Sequence, residues 1–95
     1  MGKYTEERIA GYILYYTMSC LNEGIIHVHA NKGRPIERGS AKLWVHSDGT
    51  STVAENGSVS ARDLTEIQSW IYRNIDLIRD KWMANNMGGS FKNKD

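Results

Sequence analysis

Cysteine is almost missing from this sequence. Cys20 stands alone, which excludes an internal disulfide and any all-thiolate metal site. Proline occurs once, at Pro35, so no proline-rich linker exists. No apolar run approaches the roughly 20 residues that a membrane-spanning helix needs. Charge of one sign is lacking too. Twelve Lys and Arg against eleven Asp and Glu leave +1, so no chain-wide basic coat announces nucleic acid. Gly33 and Gly39 flank Pro35 instead of opening a helix, so there is no glycine-rich phosphate loop. Ser40, Ser47, Ser51 and Ser58 lack the flanking pattern of a nucleophile elbow. Met1 to Glu7 lacks the basic-then-apolar layout of a secretory signal, and the expectation is a cytoplasmic protein with no membrane contact. What remains is 95 residues, 40% apolar and 24% charged, the composition of one globular domain. That domain is expected over 1–87, with 88–95 as a disordered polar tail.

The clearest element lies toward the C-terminal end. Ser60 stands three residues before the carboxylate of Asp63, close to a capping box. Leu64, Ile67, Ile71, Ile75, Ile78 and Trp82 then recur at spacings of three or four, which places them on one helical face. The pattern predicts one long amphipathic helix from about Ala61 to about Ala84, ended by Gly88-Gly89-Ser90. Trp82 is read as core. Earlier in the chain the period is two. Strands are predicted over Ala10–Met18, Ile25–Ala30, Ala41–His46 and Ser51–Glu55, with Asp48-Gly49 as a hairpin turn. The fold class is therefore α+β: a small antiparallel meander of three or four strands, with one long C-terminal helix packed on one face.

Alternation sorts the strand residues into two faces. Ile26, Val28, Ala30, Ala41, Leu43, Val45, Thr52 and Ala54 form a small, mostly apolar bed for the helix. Ile25, His27, His29, Lys42, Trp44, His46, Ser51, Val53 and Glu55 form the other face. A two-residue turn centred on Asp48-Gly49 places Trp44 opposite Val53 and Lys42 opposite Glu55. A simple meander then brings His27 to Trp44 and His29 to Lys42. The first strand offers either Tyr12, Leu14 and Tyr16 or Ile13, Tyr15 and Thr17 to each face, and alternation alone does not choose. One helix covers one face, so the histidine face is expected to be exposed.

That face coincides with the one uneven stretch of charge. Lys32, Arg34, Arg38 and Lys42 face only Glu37 between His27 and His46, and all three histidines fall in this stretch. A cationic hairpin is either a solvated loop or an anion-facing patch. An exposed mixture of Trp44, apolar residues and ionisable groups has the composition of a binding or self-association surface. The candidate binding residues are His27, His29, Lys42, Trp44, His46, Arg34 and Arg38.

His27-Val28-His29 sets two imidazoles on one side of a strand, about 7 Å apart. Metal binding would need His46 or Cys20 to converge with them, and the register separates those donors, so no metal or cofactor is assigned. General acid–base cleavage of a phosphodiester, with His27 and His29 as acid and base and Lys42 on the phosphate, is compatible with the spacing. A polar contact with a partner is a third reading, and a purely structural role, stacked on Trp44 and bonded to backbone, a fourth. Cys20 is read as a buried small residue.

Together, Ile26-His27-Val28-His29-Ala30, Gly39-Ser40-Ala41-Lys42-Leu43-Trp44-Val45, Ala54-Glu55-Asn56-Gly57, Ser60-Ala61-Arg62-Asp63-Leu64 and the closing Ile71, Ile75, Ile78, Trp82 pattern resemble a bacterial family known as domain of unknown function 4160. The resemblance runs from about Ile9 to Ala84. Its recurring positions correspond to His27, His29, Lys42 and Trp44. Many relatives carry proline before the His-x-His, where this chain has Gly24-Ile25. The resemblance implies a small stand-alone protein, often encoded beside another small domain in arrangements like toxin–antitoxin or regulatory pairs, and brings no established enzymatic activity or catalytic residues with it. The function expected is a binding module for a partner protein, such as an operon neighbour, or nucleic acid. A homodimer through the sheet face is a further expectation, and a metal-independent ribonuclease is the alternative.

Overall fold

The computed structural model describes residues 2–17, 24–33, 39–85 and 89–93. Five strands, β1 (Gly2–Lys3), β2 (Ile13–Tyr16), β3 (His27–Asn31), β4 (Ala41–Val45) and β5 (Ser51–Glu55), form one antiparallel sheet in sequence order. Two helices follow, α1 (Ala61–Arg73) and α2 (Ile75–Asn85). The class is α+β, as the patterning indicates. The sheet has one strand more than expected, because β1 is two residues long and carries no alternation to detect. No helix among the described residues is long and apolar enough to cross a membrane.

The single predicted helix is broken at Asn74. Asn74 departs from helical geometry, with its N–H bonded to the Ile71 carbonyl at 3.1 Å and its side-chain amide to the Trp70 carbonyl at 2.8 Å. An asparagine side chain that competes for backbone acceptors is well suited to such a break. The N-terminal end is as the capping signal predicts: Ser60 Oγ accepts the Asp63 N–H at 3.2 Å.

Leu64, Ile67, Trp70 and Ile71 of α1 and Ile78 and Trp82 of α2 are buried in one core with Leu14, Tyr16, Val28, Ala30, Ala41, Leu43 and Val45. This settles the parity of β2. Leu14 pairs with Ala30 and Tyr15 with His29, so Tyr12, Leu14 and Tyr16 turn to the core while Ile13 and Tyr15 share the histidine face. Tyr12 also ties β2 to the start of α1, its hydroxyl donating to Asp63 Oδ2 at 3.0 Å. Burial and the adjacent Asp63 carboxylate raise its phenol above the ordinary 10.0.

Between β4 and β5 the turn contains three residues, Ser47 to Gly49, rather than two. His46 N–H bonds the Thr50 carbonyl at 2.9 Å, and Gly49 sits at φ +90°. The extra residue slips the register by one, so Trp44 pairs with Thr52 and Leu43 with Val53. Val53 therefore belongs to the core side, not beside Trp44 as expected, and it packs against the core. A bulge that leaves Ala54 unmatched restores the expected Lys42–Glu55 pair.

The chain after α2 does not fray as expected over Gly89–Asn93. Ser90 N–H donates to the Gly24 carbonyl and Ile26 N–H to the Ser90 carbonyl, each at 2.9 Å, and Lys92 N–H donates to the Val45 carbonyl at 2.8 Å. Phe91 packs against the core. This segment is held by backbone hydrogen bonds that a low-hydrophobicity sequence does not advertise.

Two stability outcomes follow from these contacts. A Cβ on Gly57, at φ +59°, would lie 2.5 to 2.7 Å from backbone atoms of Gly39, Ser40 and Ala41. Gly57→Ala is therefore expected to cost at least about 2 kcal/mol in urea denaturation, from left-handed strain plus displaced backbone. Tyr12→Phe is expected to cost about 1 kcal/mol at neutral pH. Since the folded phenol titrates above its unfolded value, that contribution is fully present below 10.0 and fades as pH rises through the higher folded value. Denaturation of both proteins across alkaline pH measures the convergence.

Candidate functional site

The β2–β3–β4 pairing builds two rows on the histidine face. Tyr15, His29 and Lys42 form one; His27, Trp44 and Thr52 form the other. The expected meetings of His27 with Trp44 and of His29 with Lys42 are present as direct cross-strand partners. The expected exposure is not. His27 is 0%, His29 5% and His46 4% accessible, and Tyr15 and Ser40 are buried with them. His27 packs edge-on against Trp44 with ring centroids 5.1 Å apart, against His29 at 5.1 Å, and against Trp82 of α2 at 5.6 Å. His29 stacks on Tyr15 at 5.5 Å. The face is closed rather than open: Trp82 and Trp44 meet His27, Tyr15 stacks on His29, and the Lys92 segment is bonded to His46.

Hydrogen bonding sets the state of the rings. His27 Nδ1 lies 2.9 Å from the Ile25 carbonyl, His29 Nδ1 3.2 Å from the Ala41 carbonyl and His46 Nδ1 2.7 Å from the Lys92 carbonyl. A carbonyl only accepts, so the hydrogen-bond network assigns a proton to each Nδ1. In the neutral ring His46 Nε2 accepts the Thr52 hydroxyl at 2.6 Å. Beneath His29, the Tyr15 hydroxyl is bonded to Ser40 Oγ, which also accepts the Asn31 amide at 2.9 Å. These are the partners that buried polar groups require. They also remove the histidines from easy contact with a polymer, so acid–base attack on a phosphodiester by His27 and His29 finds no support in this geometry.

What the face does present is Trp44. Its ring is half-buried, with the Lys42 ammonium 4.4 Å and the Lys92 ammonium 5.4 Å from its centroid. His27 supports the ring from the protein side. His46, bonded to Lys92 and Thr52, holds the C-terminal segment that carries the second ammonium. Among the described residues, no three His, Cys, Asp or Glu side chains are placed to hold a metal ion. Arg34, Arg38 and Cys20 lie outside the described residues.

A family model described as "Domain of unknown function (DUF4160)" matches residues 11–83. The chain belongs to this family. The DUF4160 match contains β2 to β5, α1 and most of α2, and with them Tyr15, His27, His29, Lys42, Trp44, Thr52 and Trp82. Lys92 and the segment clamped by His46 lie beyond it. No curated protein and no solved structure gives a significant match to the chain.

Reasoning from the sequence missed Lys92, Thr52 and Tyr15 as members of this site and took Trp82 for core alone. Only Tyr15 carried a signal, as one of two parities for the first strand. If His27 chiefly supports Trp44, His27→Ala leaves a cavity between two indoles and is expected to destabilise the protein by about 2–4 kcal/mol. A solvent-facing histidine would cost under about 0.5 kcal/mol on the same denaturation curve.

Proposed function

We propose that this member of the DUF4160 family is a binding module, one half of a regulatory or toxin–antitoxin-like pair, whose contact surface is Trp44 with the Lys42 and Lys92 ammoniums. The observation that carries this reading is a large aromatic ring left partly exposed on a buried, hydrogen-bonded support, with two cations over it. Tryptophan is among the residues that dominate binding energy when anchored in this way. The two ammoniums select an anionic counterpart, an acidic protein surface or the phosphates of a nucleic-acid strand. The histidines act here as a platform. Their tautomers and ring contacts hold the indole in place, while the contact itself is made by the indole and the lysines. A homodimer through the same surface would bring like charges together, which weighs against self-association at low salt.

The test is capture of partners by the full chain from its native extract, with both protein and nucleic acid identified, followed by titration of the captured partner. Trp44→Ala is expected to weaken that binding at least tenfold. Lys42→Glu is expected to weaken it several-fold and to flatten its salt dependence. Circular dichroism of both variants monitors the fold. Parent-like affinity in folded Trp44→Ala and Lys42→Glu would sink the proposal.

A further inference from the structure

Among the described residues β5 is the last strand of the sheet, and its first residue, Ser51, borders with Thr50 a cleft of about 540 Å³ beside α1. The direction of its backbone groups follows from the pairing. Val45 N–H points to Ile26 on the β3 side, so the backbone of Trp44 faces β5 and is met by Thr52. The N–H and C=O groups of Ser51 and Val53 therefore point outward, away from β4. The outward carbonyl of Ser51 is taken by a side chain: Gln68 Nε2 of α1 donates to it at 3.0 Å. An amide N–H thus already occupies the position that the N–H of an added strand would take.

The far wall of the cleft is a helical stripe of Thr65, Gln68, Ser69, Tyr72 and Arg73, whose C-terminal end lies by the β4–β5 turn, where Tyr72 packs against Gly49. Tyr72 is 60% exposed. Arg73 is the one charged residue of the lining, and it makes no ion pair or hydrogen bond among the described residues. The bulge at Ala54 limits regular pairing to the Ser51–Val53 stretch, which is enough to seat a short segment but a narrow basis for a dimer.

We infer that this cleft takes an extended peptide by strand addition, antiparallel to β5, with a carboxylate at the peptide's C-terminal end paired to Arg73. In an antiparallel arrangement the incoming chain runs toward Ser51 and the β4–β5 turn, which brings its C-terminal end to the guanidinium. Its backbone groups meet those of Val53, and one peptide N–H replaces the Gln68 amide on the Ser51 carbonyl. A second copy of this chain fits less well. Glu55 pairs with Lys42 and so projects to the histidine face, away from α1, and β5 brings no carboxylate to Arg73. This surface is separate from Trp44, and the inference goes beyond the reading given for that ring.

The experiment is fluorescence anisotropy of the full chain with three fluorescein-labelled probes. One is Gly-Thr-Val-Thr-Val as the free acid, one is its C-terminal amide, and one is the amide with glutamate as the last residue. The free acid and the glutamate amide, which supply the same carboxylate from two sources, are expected to bind about tenfold more tightly than the neutral amide. Arg73→Glu is expected to abolish that preference. Val53→Pro removes the outward N–H but also the valine's core packing. It is therefore read against Val53→Ala, which loses the same packing and keeps the N–H. Relative to Val53→Ala it is expected to weaken all three probes at least tenfold, with circular dichroism of the two variants alike. Equal binding of acid and neutral amide, parent-like binding by folded Val53→Pro, or no saturable binding of any probe would overturn the inference. So would sedimentation showing a dimer that Val53→Pro dissolves, since the edge would then belong to a second copy.

Discussion

The pairing of β3 with β4 is the constraint on which the rest of this molecule depends. It aligns Val28 with Leu43 and Ala30 with Ala41 under the helices, and in the same stroke aligns His27 with Trp44 and His29 with Lys42 on the other side. A slip of one residue would turn the apolar set outward and drive imidazoles into the core. Both faces are thus set by one register, and the burial of the core residues is what holds Trp44 over His27.

The two sides of the sheet are closed by different means. The core side is covered by amphipathic α1, whose buried stripe matches its apolar period. On the histidine side, Trp82 of α2 meets His27, and the docked Gly89–Asn93 segment is held by His46. These devices are economical for a chain of this size. Two short helices keep their apolar residues Leu64, Ile67, Ile71, Ile78 and Trp82 inside.

Much of the fold was legible in the residues themselves. Ser60, Asp63 and the Leu64–Trp82 spacing specify a capped amphipathic rod because helical periodicity is local, and the alternation of β3 and β4 specifies their faces for the same reason. The break at Asn74 was not legible, since the apolar spacing runs on unbroken through Ile71, Ile75 and Ile78 on either side of it. Nor was the β4–β5 register, because Asp48-Gly49 suits a two-residue and a three-residue turn equally and only the packing of Val53 separates them. The bulge at Ala54 then returned Lys42 to Glu55, so an expectation built on the other turn reached the observed pair by a different route.

For the site the division is sharper. His27, His29, Lys42 and Trp44 were gathered on one face by sequence alone, because strand alternation is a covalent consequence of the backbone and needs no knowledge of the remaining fold. Whether that face is wet or dry was decided only by tertiary structure. Burial depends on which distant segments return to cover a surface, and Trp82 and Lys92 lie far along the chain from the histidines they cover and flank. The residue types and their side of the sheet belong to the sequence; the closed imidazoles, the half-open indole and the second ammonium belong to the fold.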